Sequence, residues 1–220
     1  QTCALPISYH MQFDPENWQR IAPPTEIDLS LAALETAQDQ TTGEIYGAFY
    51  NSDLTKREFG VVDFENETRT TFGTTDKAYV ALGLSTDGYL YGIATDGNLY
   101  KIDKTNGTET LIGSTGIELT DADGSYYSQS GEIDQKTNTF YWASVDNAQQ
   151  SALYTVDLAT GAVTKISDFP NGDIVLALTV PKPLAEAGAP AAAEELSVAF
   201  NEASLSGKVN LDRKSTRLNS

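Results

Sequence analysis

The chain has 220 residues, with 31 Asp and Glu against 14 Lys and Arg for a net charge of −17, one histidine and one cysteine. An acidic surface of this kind repels phosphate backbones and anionic headgroups, so binding to nucleic acid or to a membrane surface is not expected. The longest apolar run, "IVLALTV" at 174–180, stops at Pro181 well short of the eighteen or so residues of a spanning helix, and membrane insertion is not expected either.

The two ends do not share the texture of the rest. Residues 1–7, "QTCALPI", hold the single cysteine, and residues 212–220, "DRKSTRLNS", form a basic tail on an acidic chain. Asp212 to Leu218 can be encoded so that the reverse complement of the same codons translates as residues 1–7. The pair resembles translated library adapter of the kind left at the ends of metagenomic reading frames, and both ends are set aside from fold reasoning. Without Arg213, Lys214, Arg217 and Asp212 the net charge becomes −19. Cys3 goes with them, which removes disulfides and thiol catalysis from the remaining segment.

From residue 9 onward the chain is repetitive, and a fixed period takes precedence over local propensity. "FGVVDFENETRTTFG" (59–73), "LYKIDKTNGTETLIG" (99–113) and "LYTVDLATGAVTKIS" (153–167) align without gaps. Each places an apolar residue nine positions after an Asp: Asp63 with Phe72, Asp103 with Ile112, Asp157 with Ile166. Upstream of each lies a second shared unit marked by Tyr46, Tyr91 and Tyr141. An Asp followed a few residues later by Gly is the chemistry of an Asx turn closing on a left-handed residue, so each repeat reads as four short strands joined by hairpins. "LSLAALETAQ" (29–38) has helical propensity but fills the slot of "YVALGLST" (79–86), and is read as strand.

Four strands every 40 to 50 residues is the period of a β-propeller blade. The repeats, "LYGIATDGNLYKIDKTNGTETLIGSTG" above all, resemble those of bacterial secreted and cell-surface propellers. The fold class expected is all-β: a partial, open β-propeller over residues 8–181, about three and a half blades at 9–22, 27–75, 77–117, 125–168 and 172–181. In that division "HMQFDPENWQRIA" (10–22) ends an earlier blade, with Asp14 in the place of Asp103, and "DIVLALTV" (173–180) is the first strand of a later one. Unpaired blade edges are expected to leave an open arc of marginal stability that tends to associate. Residues 182–193 read as an Ala/Pro linker, and "ELSVAF" with "SLSGKVNL" in 194–211 resembles the start of a fibronectin type III or immunoglobulin-like β-sandwich.

The inventory for chemistry is short. His10 reads as an ordinary strand residue, and there is no G-x-S-x-G, H-E-x-x-H, C-x-x-C or phosphate-binding loop. The best metal candidate is a weak calcium site in "TDADGSYYSQSGE" (120–132), where Asp121, Asp123 and Glu132 stand at positions one, three and twelve of an EF-hand-like count, with the Gly misplaced at position four. Asp63, Asp103 and Asp157 read as turn caps, and Tyr46, Tyr91 and Tyr141 as core aromatics between blades. No catalytic residue and no required cofactor is nominated. The function expected is a non-catalytic binding or scaffolding part of a secreted or surface-anchored bacterial multidomain protein, partnered by a protein or glycan ligand and by further domains of its own chain. The alternative is part of a calcium-dependent propeller hydrolase or lactonase.

Overall fold

A computed structural model describes residues 8–10, 17, 19–23, 25–27, 33–51 and 56–180. The chain divides into two units, residues 1–182 and 183–220, and every described residue lies in the first. The linker at 182–193, the sandwich start at 194–211, Asp14 and both adapter-like ends fall outside the described residues.

Three four-stranded antiparallel sheets follow one another along the chain, each a simple meander. The first holds β3 (Ala33–Gln38), β4 (Ile45–Tyr50), β5 (Arg57–Asp63) and β6 (Thr68–Thr75). The second holds β7 (Tyr79–Leu84), β8 (Leu90–Ala94), β9 (Asn98–Ile102) and β10 (Glu109–Ser114). The third holds β11 (Ser130–Asp134), β12 (Thr139–Val145), β13 (Ser151–Val156) and β14 (Val163–Asp168). The first strands converge: β3 and β11 both pack on β7 and touch each other. This is the arrangement of propeller blades around an axis, and the all-β propeller reading holds.

Two boundaries differ from the expectation. The earlier half-blade is instead a small hairpin, β1 (Ser8–His10) paired with β2 (Thr25–Ile27), so Ile27 belongs to it and not to the first sheet. Residues 173–180 do not form a strand. Leu178 N–H of this segment is bonded to Ser130 Oγ at 2.9 Å, a side-chain contact in place of a ladder.

The repeat seen in sequence is a repeat of register. Phe59 pairs with Gly73, Leu99 with Gly113 and Leu153 with Ser167, and in each sheet the preceding residue of the last strand is skipped in a bulge. The skipped residues are Phe72, Ile112 and Ile166, the apolar positions nine after each Asp. Phe72 packs into the core between the first two sheets and Ile112 into the core between the second and third, whereas Ile166 is 51% exposed.

Between the first two sheets the core is aromatic: Phe59 stacks on Phe72 at 6.0 Å, Tyr79 tilts onto Phe59 at 5.5 Å and Tyr100 meets Tyr79 edge-on at 6.2 Å. The crossover into the second sheet is pinned by Glu109, whose carboxylate accepts from Thr75 Oγ1 at 2.7 Å, from Lys77 Nζ at 3.2 Å and from the Tyr79 hydroxyl. Trp142 stands where the first two sheets have Gly47 and Gly92, and the structure compensates across the ladder. Gly131 pairs with Trp142, and the buried indole N–H donates to Gln129 Oε1 at 3.0 Å.

Sheet-to-sheet spacing rests on two glycine contacts. The hairpin tip of the second sheet, Gly107, lies on Gly73, and that of the third, Gly161, lies on Gly113. A Cβ on Gly73 would come within 2.6 Å of Gly107 Cα, and one on Gly161 within 2.7 Å of Gly113 O, so backbone would have to move. Two carboxylates are buried near the converging strands. Glu132 is 8% exposed, its Oε1 has no hydrogen-bond partner, and loss of solvent pushes its pKa up to about 7; Glu35, half-buried on β3, is pushed up to about 9 for the same reason.

Two outcomes are expected. Gly113→Ser, which forces a side chain against backbone, lowers unfolding free energy by about 3 kcal/mol or more in denaturant titrations, while Ser167→Gly at the equivalent exposed position changes it by less than about 1 kcal/mol. Glu132 binds its proton more tightly folded than unfolded, so its contribution is neutral below about pH 4.5, falls as pH rises towards 7, and stays unfavourable above. Relative to wild type, Glu132→Gln gains about 2 to 3 kcal/mol between pH 4 and 8 in a pH series of denaturation curves.

Candidate functional site

Six of the nine hairpins within the three sheets, those joining first to second and third to fourth strands, open at one rim, and each begins with an Asp whose side chain closes the turn. Asp39 Oδ1 accepts from Thr41 N–H at 2.8 Å and Thr42 N–H at 3.1 Å, and Asp63 Oδ1 from Glu65 at 2.9 Å and Asn66 at 3.0 Å. Asp87 accepts from Tyr89 at 3.1 Å, Asp103 from Thr105 at 2.8 Å, Asp134 from Lys136 at 2.9 Å and Asp157 from Ala159 at 2.8 Å. Asp63, Asp103 and Asp157 are therefore the turn caps expected from their spacing. The Asn66 amide holds the Asp63 carboxyl below the usual carboxylate range, and the Thr105 hydroxyl does the same for Asp103.

Contacts between turns tie the rim together. Gln135 Nε2 donates to Gln38 O at 2.8 Å and its Oε1 accepts from Gln40 N–H at 3.0 Å; Asn138 Oδ1 accepts from Ser85 Oγ and Thr86 N–H. Lys104 Nζ stands 3.7 Å from Asp39 Oδ2 and 4.9 Å above the Tyr46 ring.

On this rim the second sheet carries an open cleft of about 360 Å³, lined by Tyr89, Lys101, Asp103, Asn106, Thr108 and Thr110. Tyr89 is 38% exposed, and Lys101 Nζ lies 3.8 Å from its ring centroid. The ammonium is held there by Asp87 Oδ2 at 2.8 Å, which also accepts from the Tyr91 hydroxyl at 2.9 Å, and the Asp87 bond raises the Lys101 pKa. The result is an exposed aromatic ring beside hydroxyl, amide and carboxylate groups. Tyr91 and Tyr46 are buried as core aromatics, and Tyr141 is half-buried on the third sheet. Sequence spacing did not single out Tyr89, whose only signal is an aromatic directly after the Asp87-Gly88 turn.

The three calcium candidates are not brought together. Asp121 and Asp123 stand in an exposed turn, where Asp123 Oδ1 accepts from Ser125 N–H at 3.0 Å. Glu132 is buried in β11, and among the described residues no three acidic, histidine or cysteine side chains form a group able to hold a metal. A count along the chain had implied a loop that wraps back on itself, but β11 carries Glu132 away from the turn. His10 lies in β1, paired with Thr25. No helix among the described residues is long and apolar enough to cross a membrane.

Comparison with known proteins adds a family and a fold. A search of curated proteins finds no match. Among solved structures, a structural genomics protein of unknown function from Bacteroides thetaiotaomicron superposes with a TM-score of 0.51 at 13% identity, covering 64% of this chain and 35% of that one. TolB from Acinetobacter baumannii gives 0.46 at 17% identity, covering 72% and 40%, and hydrazine synthase from Kuenenia stuttgartiensis 0.45 at 14%, covering 73% and 43%. The chain thus spans less than half the length of each. The family model described as a repeat of unknown function, DUF6923, matches residues 37–177, which begins within β3 and takes in all three sheets, and the chain belongs to that family.

Proposed function

We propose that the chain is a non-catalytic binding module of a secreted or surface-anchored bacterial multidomain protein, and that the hairpin rim of the second sheet is its ligand site. The observation that carries this reading is the cleft beside Tyr89. It joins an exposed aromatic ring to Asp103, Asn106, Thr108 and Thr110, a lining suited to a neutral glycan. A sugar presents an apolar face to stack on a ring and hydroxyls to pair with amide and carboxylate groups. The charge of Lys101 is offset by Asp87, so the cleft does not call for an anion, in keeping with the net charge of −17.

The rigid turns favour binding over chemistry. Asp103, the carboxylate lining the cleft, is occupied by Thr105 and by the amide of Asn106 at 3.2 Å, which fixes its orientation and holds its pKa low, the opposite of what a general acid needs. No cofactor enters the proposal.

Titration calorimetry of the chain against neutral β-linked and α-linked oligosaccharides, without added metal, tests it. Binding of at least one oligosaccharide is expected, weakened tenfold or more by Tyr89→Ala and by Asn106→Ala while thermal unfolding stays cooperative. Absence of binding across the panel, or binding untouched by Tyr89→Ala, would remove the glycan reading and leave a protein ligand as the partner to seek.

A further inference from the structure

Two Asn-Gly pairs occur in the chain, Asn106-Gly107 and Asn171-Gly172, and the fold surrounds them in opposite ways. Asn followed by Gly is the pair in which the second residue's backbone nitrogen most readily attacks the first residue's side-chain amide. Glycine has no Cβ to obstruct the approach and leaves the peptide free to rotate. The glycine nitrogen gives up its proton and bonds to Asn Cγ, the bond from Cγ to the side-chain nitrogen breaks, and ammonia leaves with that proton. Water then opens the resulting succinimide at either ring carbonyl, giving Asp or isoaspartate. No enzyme, oxidant or cofactor is required, so the surroundings of each pair decide whether it reacts.

Asn106-Gly107 forms the hairpin tip of the second sheet, and its reacting groups are all engaged. Gly107 N–H donates to Asp103 O at 2.7 Å, Asn106 Nδ2 donates to Asp103 Oδ2 at 3.2 Å, and Asn106 Oδ1 accepts from Thr108 N–H at 2.8 Å. Gly107 is buried, with its face so close to the first sheet that an added Cβ would stand 2.7 Å from Gly73 Cα and 3.3 Å from the Phe59 ring. Turning the peptide to bring its nitrogen onto Cγ would break these bonds and lift the tip off Gly73.

Asn171-Gly172 lies in the short turn Pro170–Gly172 that follows β14, and both residues are exposed. Nothing stands within 4 Å of where a Cβ on Gly172 would be, and among the described residues the Asn171 side chain has no hydrogen-bond partner. Asn171 already holds a left-handed backbone, φ 58° and ψ 14°, in a turn closed by Asp173 N–H on Pro170 O at 3.0 Å. Leaving that conformation releases strain and disturbs no packing.

We infer that Asn171 is a site of spontaneous deamidation in the folded protein, and that the seating of the Gly107 tip on Gly73 preserves Asn106 as an amide. The product at 171 places a new negative charge between Asp168 and Asp173. As isoaspartate it also adds a backbone carbon to the link between β14 and the segment that Leu178 bonds to Ser130. Asn106 lines the cleft beside Tyr89, so the contact that spaces the sheets also keeps that position of the lining neutral, whatever the cleft binds.

Peptide mapping by mass spectrometry tests both halves, on the full chain incubated at mildly alkaline pH with and without denaturing guanidinium chloride. In the folded chain Asn171 is expected to convert about tenfold or more faster than Asn106, whose reaction waits on a local opening of the tip. In denaturant the two pairs convert at similar rates, since neither tip nor turn remains. Asn171→Gln, whose longer side chain closes the ring slowly, removes the isoaspartate signal from the folded chain. Conversion of Asn106 as fast as Asn171 in the folded chain would overturn the inference, as would an Asn171 that reacts only in denaturant.

Discussion

Backbone meeting backbone is the constraint on which the arrangement of the sheets depends. Apolar burial draws two sheets together without direction, and it would tolerate many offsets. The contacts of Gly107 on Gly73 and of Gly161 on Gly113 do not, because each admits the tip of one hairpin at a single place on the preceding outer strand. The bulge at Phe72 and Ile112 is set in the same stretch, turning an apolar residue into the gap that the tip leaves. Spacing, rotation and core filling are thus fixed by three adjacent features of one strand: an unpaired apolar residue, a glycine, and the pairing that resumes beyond it.

The Asp turns serve that geometry from the other side. A hairpin tip can be inserted only if it is narrow and holds its shape, and the side-chain bonds of Asp103 and Asp157 to the backbone two residues on give it both. The same bonds leave a rim of ordered carboxylates whose positions do not depend on a ligand. A cleft built on such turns, as that beside Tyr89 is, begins with its polar groups already oriented, which lowers the entropy lost when something binds. Fold and candidate site therefore share one device, and the site is found on the second sheet because there Tyr89 follows its turn directly and Lys101 holds it.

Much of this was legible in the sequence because the repeat is carried by local chemistry. The offset from Asp to the apolar residue nine later is a property of one hairpin, so three copies align by eye, and the strand assignment of "LETAQ" followed from its slot against its own propensity. What could not be read are the features that exist only between repeats. The pairing of Gly73 with Gly107 joins residues of different units, and each looks on its own like an ordinary turn or strand glycine. Burial of Glu132 is likewise not visible along the chain, and an EF-hand-like count, blind to where β11 begins, grouped it with two residues of an exposed turn. The segment 173–180 misled for a related reason: alternation of apolar residues shows that a strand could form there, but a strand also needs a partner edge.

Departures from the repeat carry more information than its agreements. A drifting repeat would lose glycines at random, and the contacts between sheets would suffer with the rest. Here both contacts between sheets keep their glycine pairs, while the equivalent tip of the first sheet is Glu67 and the equivalent strand position of the third is Ser167. Glu67 retains a left-handed backbone that costs a non-glycine residue about 1 kcal/mol or more, without the burial that makes the conformation necessary in its two counterparts. At Gly107 and Gly161 the same backbone lies against a glycine of the neighbouring sheet, which leaves no room for a side chain. Arg69 lies over Gly60 with its guanidinium 5.0 Å above the Phe49 ring, filling from within the first sheet the register place that Tyr100 fills in the second.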